Sequence, residues 1–371
     1  MMDERKLPDM LLALSGERIK TAGQWRQTRR QEILDLFREH VYGWESAGRP
    51  EIMEFDTKVT PAMMGGSAVR KQVDIRFEGP GGAGSIRMLL FLPSTCSKPC
   101  PAFLLLNNRG SQVMDPERDA IAPFWPAERM IARGYAAAVL DVEDADPDFH
   151  DGFRNGVHGI FDRLDGERPA NAWGTIAAWA WAGSRAMDYL ETDPDIDASR
   201  VAVVGHSRGG KAALWAGALD ERFAFVVSND SGCTGAAIAR GKQGETIRNI
   251  NDQFPHWFNG NYKTYNDREE HLPVDQHMLL ALIAPRPLYV ASASKDEWAD
   301  PRSEFLSLLH AADAYRLFGC EALAGIGFPN PEEPLASERT GYHVRTGEHD
   351  LKEYDWDRFM DFADRHAFKR H

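Results

Sequence analysis

A serine flanked by glycines is the feature of this sequence that most directly suggests chemistry. Gly205-His206-Ser207-Arg208-Gly209 follows the apolar run Val201–Val204 and opens a helix-forming stretch from Arg208 to Gly217. A serine on such a strand-to-helix turn takes a strained backbone conformation, and small neighbours let strand and helix approach closely. Its hydroxyl then stands above a sheet edge at a helix N-terminus, where positive potential favours a developing oxyanion. Ser207 is therefore the expected nucleophile, while His206 is expected to point away and pack. A serine hydroxyl needs a histidine to take its proton and a carboxylate to fix that histidine's tautomer. His349, in a Gly-led polar loop before the closing helix, is favoured as the base over His343, which sits in a run readable as an edge strand. For the acid, Asp296 comes just past the run Pro287–Ala291, where open α/β sheets build their sites, and Asp300 lies further on. Asp230 ends the run from Phe225 and either reaches the same crevice or caps the turn that follows it. Asp296 is the first choice and Asp230 the second. Asn107-Asn108-Arg109-Gly110 follows another apolar run, where a second oxyanion N–H commonly arises, and reads equally well as a plain turn.

The elements that must position these residues alternate along the chain. Apolar runs at Gln72–Phe77, Ser85–Leu92, Ala102–Leu106, Tyr135–Val142, Val201–Val204, Phe223–Ser228, Pro287–Ala291 and Tyr315–Phe318 read as strands. Between them, helical stretches are read at Pro126 to Arg133, Trp173 to Glu191, Arg208 to Gly217, His277–Ile283 and Ser303–Ala312. Near-continuous apolar strands separated by helices imply βαβ units and a mostly parallel sheet covered on both faces, a three-layer α/β architecture. Ahead of it, residues 1–45 form an N-terminal helical segment, with Trp25, Ile33, Leu34 and Phe37 at helical spacing. Two long irregular stretches, about 143–170 and 231–275, interrupt the alternation, and loops of that length tend to be functional. The second is taken as an active-site insertion, and residues 1–371 as a single domain.

Composition narrows the class. With 43 Lys+Arg against 56 Asp+Glu the formal charge is −13, which argues against a nucleic-acid partner. No apolar stretch reaches the 18 or more residues of a membrane span, so no membrane partner is expected. No apolar h-region follows Met1, which predicts a cytoplasmic location, or a secreted or periplasmic one if a leader has been removed. Cys96, Cys100, Cys233 and Cys320 are too scattered for a disulfide scaffold or a zinc site, and Cys96 and Cys100 read as loop thiols. No cofactor is expected, and the chemistry read from Ser207 needs no metal. Oligomeric state is not legible.

Several segments together carry a resemblance. Gly205–Leu214 (GHSRGGKAAL), Ser228–Ala237 (SNDSGCTGAA), Gly244-Glu245, Phe254–Phe258 (FPHWF), Leu272–Ile283 (LPVDQHMLLALI), Ala293–Asp300 (ASKDEWAD) and Gly341–His349 resemble the bacterial glucuronoyl esterases of carbohydrate esterase family 15. The resemblance spans residues 100 to 360. It implies an α/β-hydrolase fold and a serine carboxylic-ester hydrolase that cleaves 4-O-methyl-glucuronoyl esters, which link xylan to lignin alcohols. It also implies Ser207 and His349 as nucleophile and base, and an acid at Asp230 or Asp296. Arg208 is assigned to the oxyanion site, and Lys211, Glu245 and Trp298 to the sugar. Elementary geometry agrees in part. Lys211 lies four residues after Ser207, one helical turn along the same face. Glu245 can accept from sugar hydroxyls, and Trp298 offers a pyranose an apolar face. His256-Trp257 and Gln276-His277 are expected to brace the long loop. The alternatives carried forward are an acetyl-xylan or other carbohydrate O-deacylase using the same triad, and a carbohydrate-binding relative without turnover.

Overall fold

Leu104 and Leu106 turn to one side of a sheet, while Phe103 and Leu105 turn to the other, and both sides are buried. This strand is one of ten in a computed structural model that describes residues 5–95, 99–162 and 166–368. In chain order the strands are β1 (Met53–Met63), β2 (Ala68–Gly79), β3 (Gly82–Pro93), β4 (Cys100–Asn107) and β5 (Ala136–Asp141). They continue with β6 (Ile196–His206), β7 (Phe225–Asn229), β8 (Leu288–Ala293), β9 (Leu335–Ala336) and β10 (Thr340–Arg345). Their order across the sheet is β1-β2-β3-β5-β4-β6-β7-β8-β10-β9. From β5 to β10 every neighbouring pair is parallel, whereas β1, β2 and β3 meander antiparallel onto β5 and β9 closes the far edge.

The parallel part follows from composition. Every residue of β4, β5, β7 and β8 is buried, which suits near-continuous apolar runs covered on both faces. One cover is formed by the helices Thr175–Leu190, Arg208–Leu219 and Pro301–Leu317, and the other by Ala127–Ala132 and Glu353–Phe362. All residues of Thr175–Leu190 except Ser184 are buried, so its all-round apolar character reflects a place between sheet and neighbouring helices. None of the described helices is long and apolar enough to cross a membrane.

Three sequence readings are corrected. Tyr315–Phe318 is not a strand: Tyr315 to Leu317 end the helix that starts at Pro301, and a short apolar run carries too few residues to separate the two periods. The strand β1 escaped notice because it is a mostly exposed edge of alternating polar residues, with Pro61 tolerated there. Cys100, read as a loop thiol, is disulfide-bonded; Cys96 lies outside the described residues. Cys233 and Cys320 are free.

The two flanking segments dock on the body of the fold. In the N-terminal one, Trp25, Ile33, Leu34 and Phe37 are buried, and Tyr42 stacks on Trp215 with ring centroids 4.3 Å apart. The Tyr42 hydroxyl donates to the Thr234 carbonyl at 2.9 Å, Asn259 Nδ2 donates to the Arg38 and Glu39 carbonyls, and His277 Nε2 donates to the Pro8 carbonyl. Residues 231–240 of the insertion are all buried, and the stretch also holds the helix Ile247–Gln253. Its two ends are tied by Asp275, which accepts from Ala239 N at 2.8 Å and from Arg240 Nη1 at 2.9 Å.

Candidate active site

Strand β6 ends at His206 and the helix Arg208–Leu219 starts two residues on, with Ser207 between them at φ 56° and ψ −125°. A left-handed φ is costly for a side-chain-bearing residue and persists only where surroundings enforce it. Here Ser207 N donates to the Asn229 carbonyl at 2.9 Å, and the Ser207 carbonyl accepts from the N–H groups of Gly210 and Lys211. Both motif glycines are required by close approach. A Cβ on Gly205 would stand 2.0 Å from the Gly209 carbonyl oxygen, and one on Gly209 would stand 2.8 Å from the Leu106 carbonyl oxygen. The Ser207 side chain makes no cap hydrogen bond to this helix, whose N-terminus favours a developing anion.

His349 and Asp296 meet because β8 and β10 are parallel neighbours whose carboxyl ends release adjacent loops. Backbone bonds from Ser294 N to the Arg345 carbonyl and from Lys295 N to the Gly347 carbonyl stitch these loops together. Across the seam His349 Nδ1 lies 2.6 Å from Asp296 Oδ2, while Asp296 Oδ1 accepts from Ala299 N. An ionised carboxylate only accepts, so Nδ1 carries the proton and Nε2 keeps its lone pair. The Asp296 side chain is buried and that of His349 is 39% exposed.

Asp230 lies close by under a different constraint. It is 1% exposed at φ 45°, and among the described residues neither carboxylate oxygen has a hydrogen-bond partner. One of its oxygens, one of Asp296 and a ring nitrogen of His349 all fall within 4.8 Å of one another. Burial pushes the Asp230 carboxyl well above the ordinary carboxylate range, reinforced by Glu304, Asp296 and Asp355 and opposed by Arg345 at 3.7 Å. Of the two acids left open by the sequence, Asp296 makes the hydrogen bond to His349 and Asp230 does not.

The rivals are placed elsewhere. His343 is buried in β10 between the Tyr289 hydroxyl and Asp355 Oδ1, at 3.1 and 2.8 Å. Asp300 caps the helix Pro301–Leu317 through Ser303 N. His206 is fully buried, bound through Nδ1 to Asn229 Oδ1 at 2.6 Å and through Nε2 to Arg109, and its ring lies 4.5 Å from that of His349. The Asn107–Gly110 stretch closes on itself, Asn107 Oδ1 accepting from Arg109 N and Asn107 Nδ2 donating to the Gly110 carbonyl.

Lys211, Glu245 and Trp298 converge from three elements. Lys211 is 3% exposed, and its ammonium donates to the Ser231 and Cys233 carbonyls at 2.6 and 2.7 Å, with Glu245 Oε2 at 3.7 Å. Glu245 N donates to the Trp298 carbonyl at 2.9 Å. Gly244 makes this approach possible: it sits at φ +71°, and a Cβ there would stand 2.5 Å from the carbonyl oxygens of Glu297 and Trp298. Trp298 itself is 49% exposed. Arg208 pairs with Asp148 and lies over the rings of Trp257 and Phe254, 4.8 and 5.2 Å from their centroids.

Glu304 went unnoticed in the sequence because it is one acid in a helical first turn. It is fully buried behind the site, accepting from Gly232 N at 2.8 Å and from Ser292 Oγ at 2.5 Å. Burial, opposed by these two hydrogen bonds, raises its carboxyl from 4.5 to about 7. The folded chain therefore keeps a proton that the unfolded chain releases, so stability falls as pH rises from about 4.5 to about 7 and then levels off. Glu304→Gln is expected to remove that part of the slope in thermal unfolding followed across this window. An unchanged slope would assign it to other groups.

Ser207, Arg208, Lys211, Asp230, Glu245, Asp296, Trp298 and His349 all line one cavity of about 310 Å³, walled also by Gln253, Phe254 and Trp257. Roomier grooves of about 620 and 770 Å³ lie beside β2 and β3 and around Arg286, and contain none of these eight residues. The smaller cavity is the one that holds the serine elbow. A parallel sheet covered on both faces, with a strained serine on a strand-to-helix turn and a His–Asp pair on later loops of the same edge, defines an α/β-hydrolase. A family model described as glucuronyl esterase, fungi, matches residues 81–319. A carbohydrate esterase of an unknown prokaryotic organism is 42% identical, over 97% of this chain and 89% of its own length. The glucuronoyl esterase from Solibacter usitatus superposes with a TM-score of 0.91 at 41% identity, covering 97% of both chains. A promiscuous esterase of carbohydrate esterase family 15, from the marine bacterial metagenome, gives 0.89 at 41% identity over 99% of this chain and 98% of its own. The chain belongs to the glucuronoyl esterase family, whose members are carboxylic-ester hydrolases.

Proposed function

We propose that the protein hydrolyses esters of glucuronic acid, with 4-O-methyl-glucuronoyl esters of xylan as the natural class. The observation that carries this is the cavity itself, which joins the Ser207 elbow and the His349–Asp296 pair to the Lys211–Glu245 pair and the exposed face of Trp298. Ser207 Oγ attacks the ester carbonyl while His349 Nε2 takes its proton, and Asp296 stabilises the imidazolium and holds its orientation. The carbonyl oxygen, now negative, is met by the Arg208 backbone N–H at the open helix end and by the Arg208 guanidinium. Collapse expels the alcohol, which takes the proton from His349. Water, deprotonated by the same imidazole, then hydrolyses the acyl-enzyme to free uronate and Ser207. Lys211 and Glu245 supply a donor and an acceptor for sugar hydroxyls, and Trp298 an apolar face for the ring.

The discriminating experiment compares hydrolysis of benzyl glucuronate with that of an acetylated sugar. A clear preference for the glucuronate is expected. In Glu245→Gln, KM for the glucuronate should rise about tenfold with a smaller change in kcat, because a contact kept through ground and transition states is lost. Acetyl-ester turnover should not respond. Preference for the acetyl ester would keep the triad and replace the substrate by that of a carbohydrate O-deacylase, and turnover of neither would favour a binding-only relative.

A further inference from the structure

Arg208 is held from behind. Its guanidinium donates through Nη1 to Asp148 Oδ2, and among the described residues Asp148 is its hydrogen-bond partner. The other carboxylate oxygen is occupied as well: Asp148 Oδ1 accepts from Trp257 Nε1 at 2.7 Å and from His256 Nε2 at 3.1 Å. The rings under the guanidinium are themselves fixed, Phe254 stacking on Trp257 with centroids 3.8 Å apart and planes within 1°. Both supporting loops are anchored on the start of the helix Thr175–Leu190. Thr175 N and Ile176 N donate to the His256 and Trp257 carbonyls, and Thr175 Oγ1 donates to Asp146 Oδ2 at 2.6 Å. Asp148 is not among the residues lining the cavity, whereas Arg208 is.

We propose that Asp148 is a positioning residue for the ester chemistry: clamped by His256 and Trp257, its carboxylate holds the Arg208 guanidinium in the orientation that meets the oxyanion. This rests on the catalytic reading of Ser207 given above. The physical need is plain. An arginine on a helix N-terminus has four rotatable side-chain bonds, and a charge that must be gathered during the reaction stabilises a transition state less than one already in place. Asp148 removes that search without touching the substrate. Its charge is secured by the same contacts: burial alone would raise its carboxyl, but the hydrogen bonds from His256 and Trp257 and the charge of Arg208 hold it below its ordinary value. Five acids crowd this loop at Glu143, Asp144, Asp146, Asp148 and Asp151, and nothing in their spacing singles out Asp148.

The test is a double-mutant cycle on benzyl glucuronate hydrolysis, using Asp148→Asn, Arg208→Ala, the double variant and Ser207→Ala. In Asp148→Asn the amide oxygen still accepts from His256 and Trp257, but its NH2 faces the guanidinium and releases it. A loss of about 10- to 100-fold in kcat is expected, with KM within about threefold, since one oriented oxyanion donor is disabled. In the Arg208→Ala background the same substitution should cost nothing further, because its effect passes through the missing side chain. Wild-type kcat in Asp148→Asn would overturn the proposal. So would losses that multiply, which mean that Asp148 acts on the fold instead. Should Asp148→Asn not fold, Trp257→Phe deletes one N–H of the clamp and keeps an aromatic, if smaller, face beneath Arg208. Its several-fold loss must likewise vanish in the Arg208→Ala background, and an equal loss in both backgrounds would sink the idea. Full activity in Ser207→Ala would overturn the catalytic reading itself, and the role of Asp148 with it.

Discussion

Ser207→Ala is expected to lower kcat by about 10⁵- to 10⁶-fold while leaving the folded structure and substrate binding in place. In the proposed mechanism the hydroxyl forms the acyl-enzyme, and a water in its stead would have His349 as base but not the fixed position of Oγ. What should survive is the residual acceleration that an oxyanion site and substrate binding provide alone, about 10³- to 10⁴-fold over water. The variant should also unfold at a temperature no lower than the parent. Alanine keeps the same Cβ at φ 56°, and no side-chain hydrogen bond of Ser207 caps its helix. Rates on benzyl glucuronate, with thermal unfolding on the same samples, check both halves. Substantial turnover in the variant would remove Ser207 from the mechanism.

The second large effect separates the two acids. Asp296→Asn should cost about 10³- to 10⁴-fold in kcat, because the amide favours the tautomer with its proton on Nε2, where the base must be free. Asp230→Asn should leave kcat within about threefold. It should also raise the unfolding temperature at neutral pH, since a buried carboxyl with no hydrogen-bond partner no longer has to resist ionisation. The sign follows from the raised folded-state value: the stability tied to Asp230 is fully present below its unfolded value of 3.8 and is lost as pH rises through the folded one. The gain from Asp230→Asn is therefore absent in acid and grows with pH. In Asp296→Asn one of the like charges on Asp230 disappears, so any activity that remains should increase with pH as Asp230 ionises within reach of His349. That remainder should vanish in the double variant. A pH-independent remainder, or one that survives the double change, would show that Asp230 takes no part.

Much of this was legible because buried strands announce themselves. The runs that became β4, β6, β7 and β8 are short and almost wholly apolar, so their carboxyl ends, and with them Ser207, Asp230 and Asp296, could be placed on one edge. What the sequence could not resolve was the choice between neighbours. Asp230 and Asp296 follow adjacent strands, and what separates them is the hydrogen bond that Asp296 makes to His349 and Asp230 does not. His343 and His349 were separable because one lies within a strand pattern and the other beyond its end. Lys211 and Glu245 were assigned to the sugar by resemblance, but nothing in the sequence placed them in a buried pair. Their burial comes from the insertion folding over the helix, a contact between segments about 20 residues apart or more that no local pattern encodes. Asp148 and Glu304 were invisible for the same reason, since their significance lies in what reaches them from elsewhere in the chain.

The docking of the N-terminal segment has a consequence in time. This segment is made well before its anchoring partners Thr234, Asn259 and His277, which lie far downstream. During synthesis it must wait until the insertion has emerged, by which point β1 to β7 have been made and β8 to β10 have not. Were these contacts to form after the rate-limiting step of assembly, weakening them is expected to hasten unfolding more than it slows folding. The working lifetime of the candidate catalytic edge would then be set partly far upstream in the chain, by residues such as Tyr42, which is buried against Trp215.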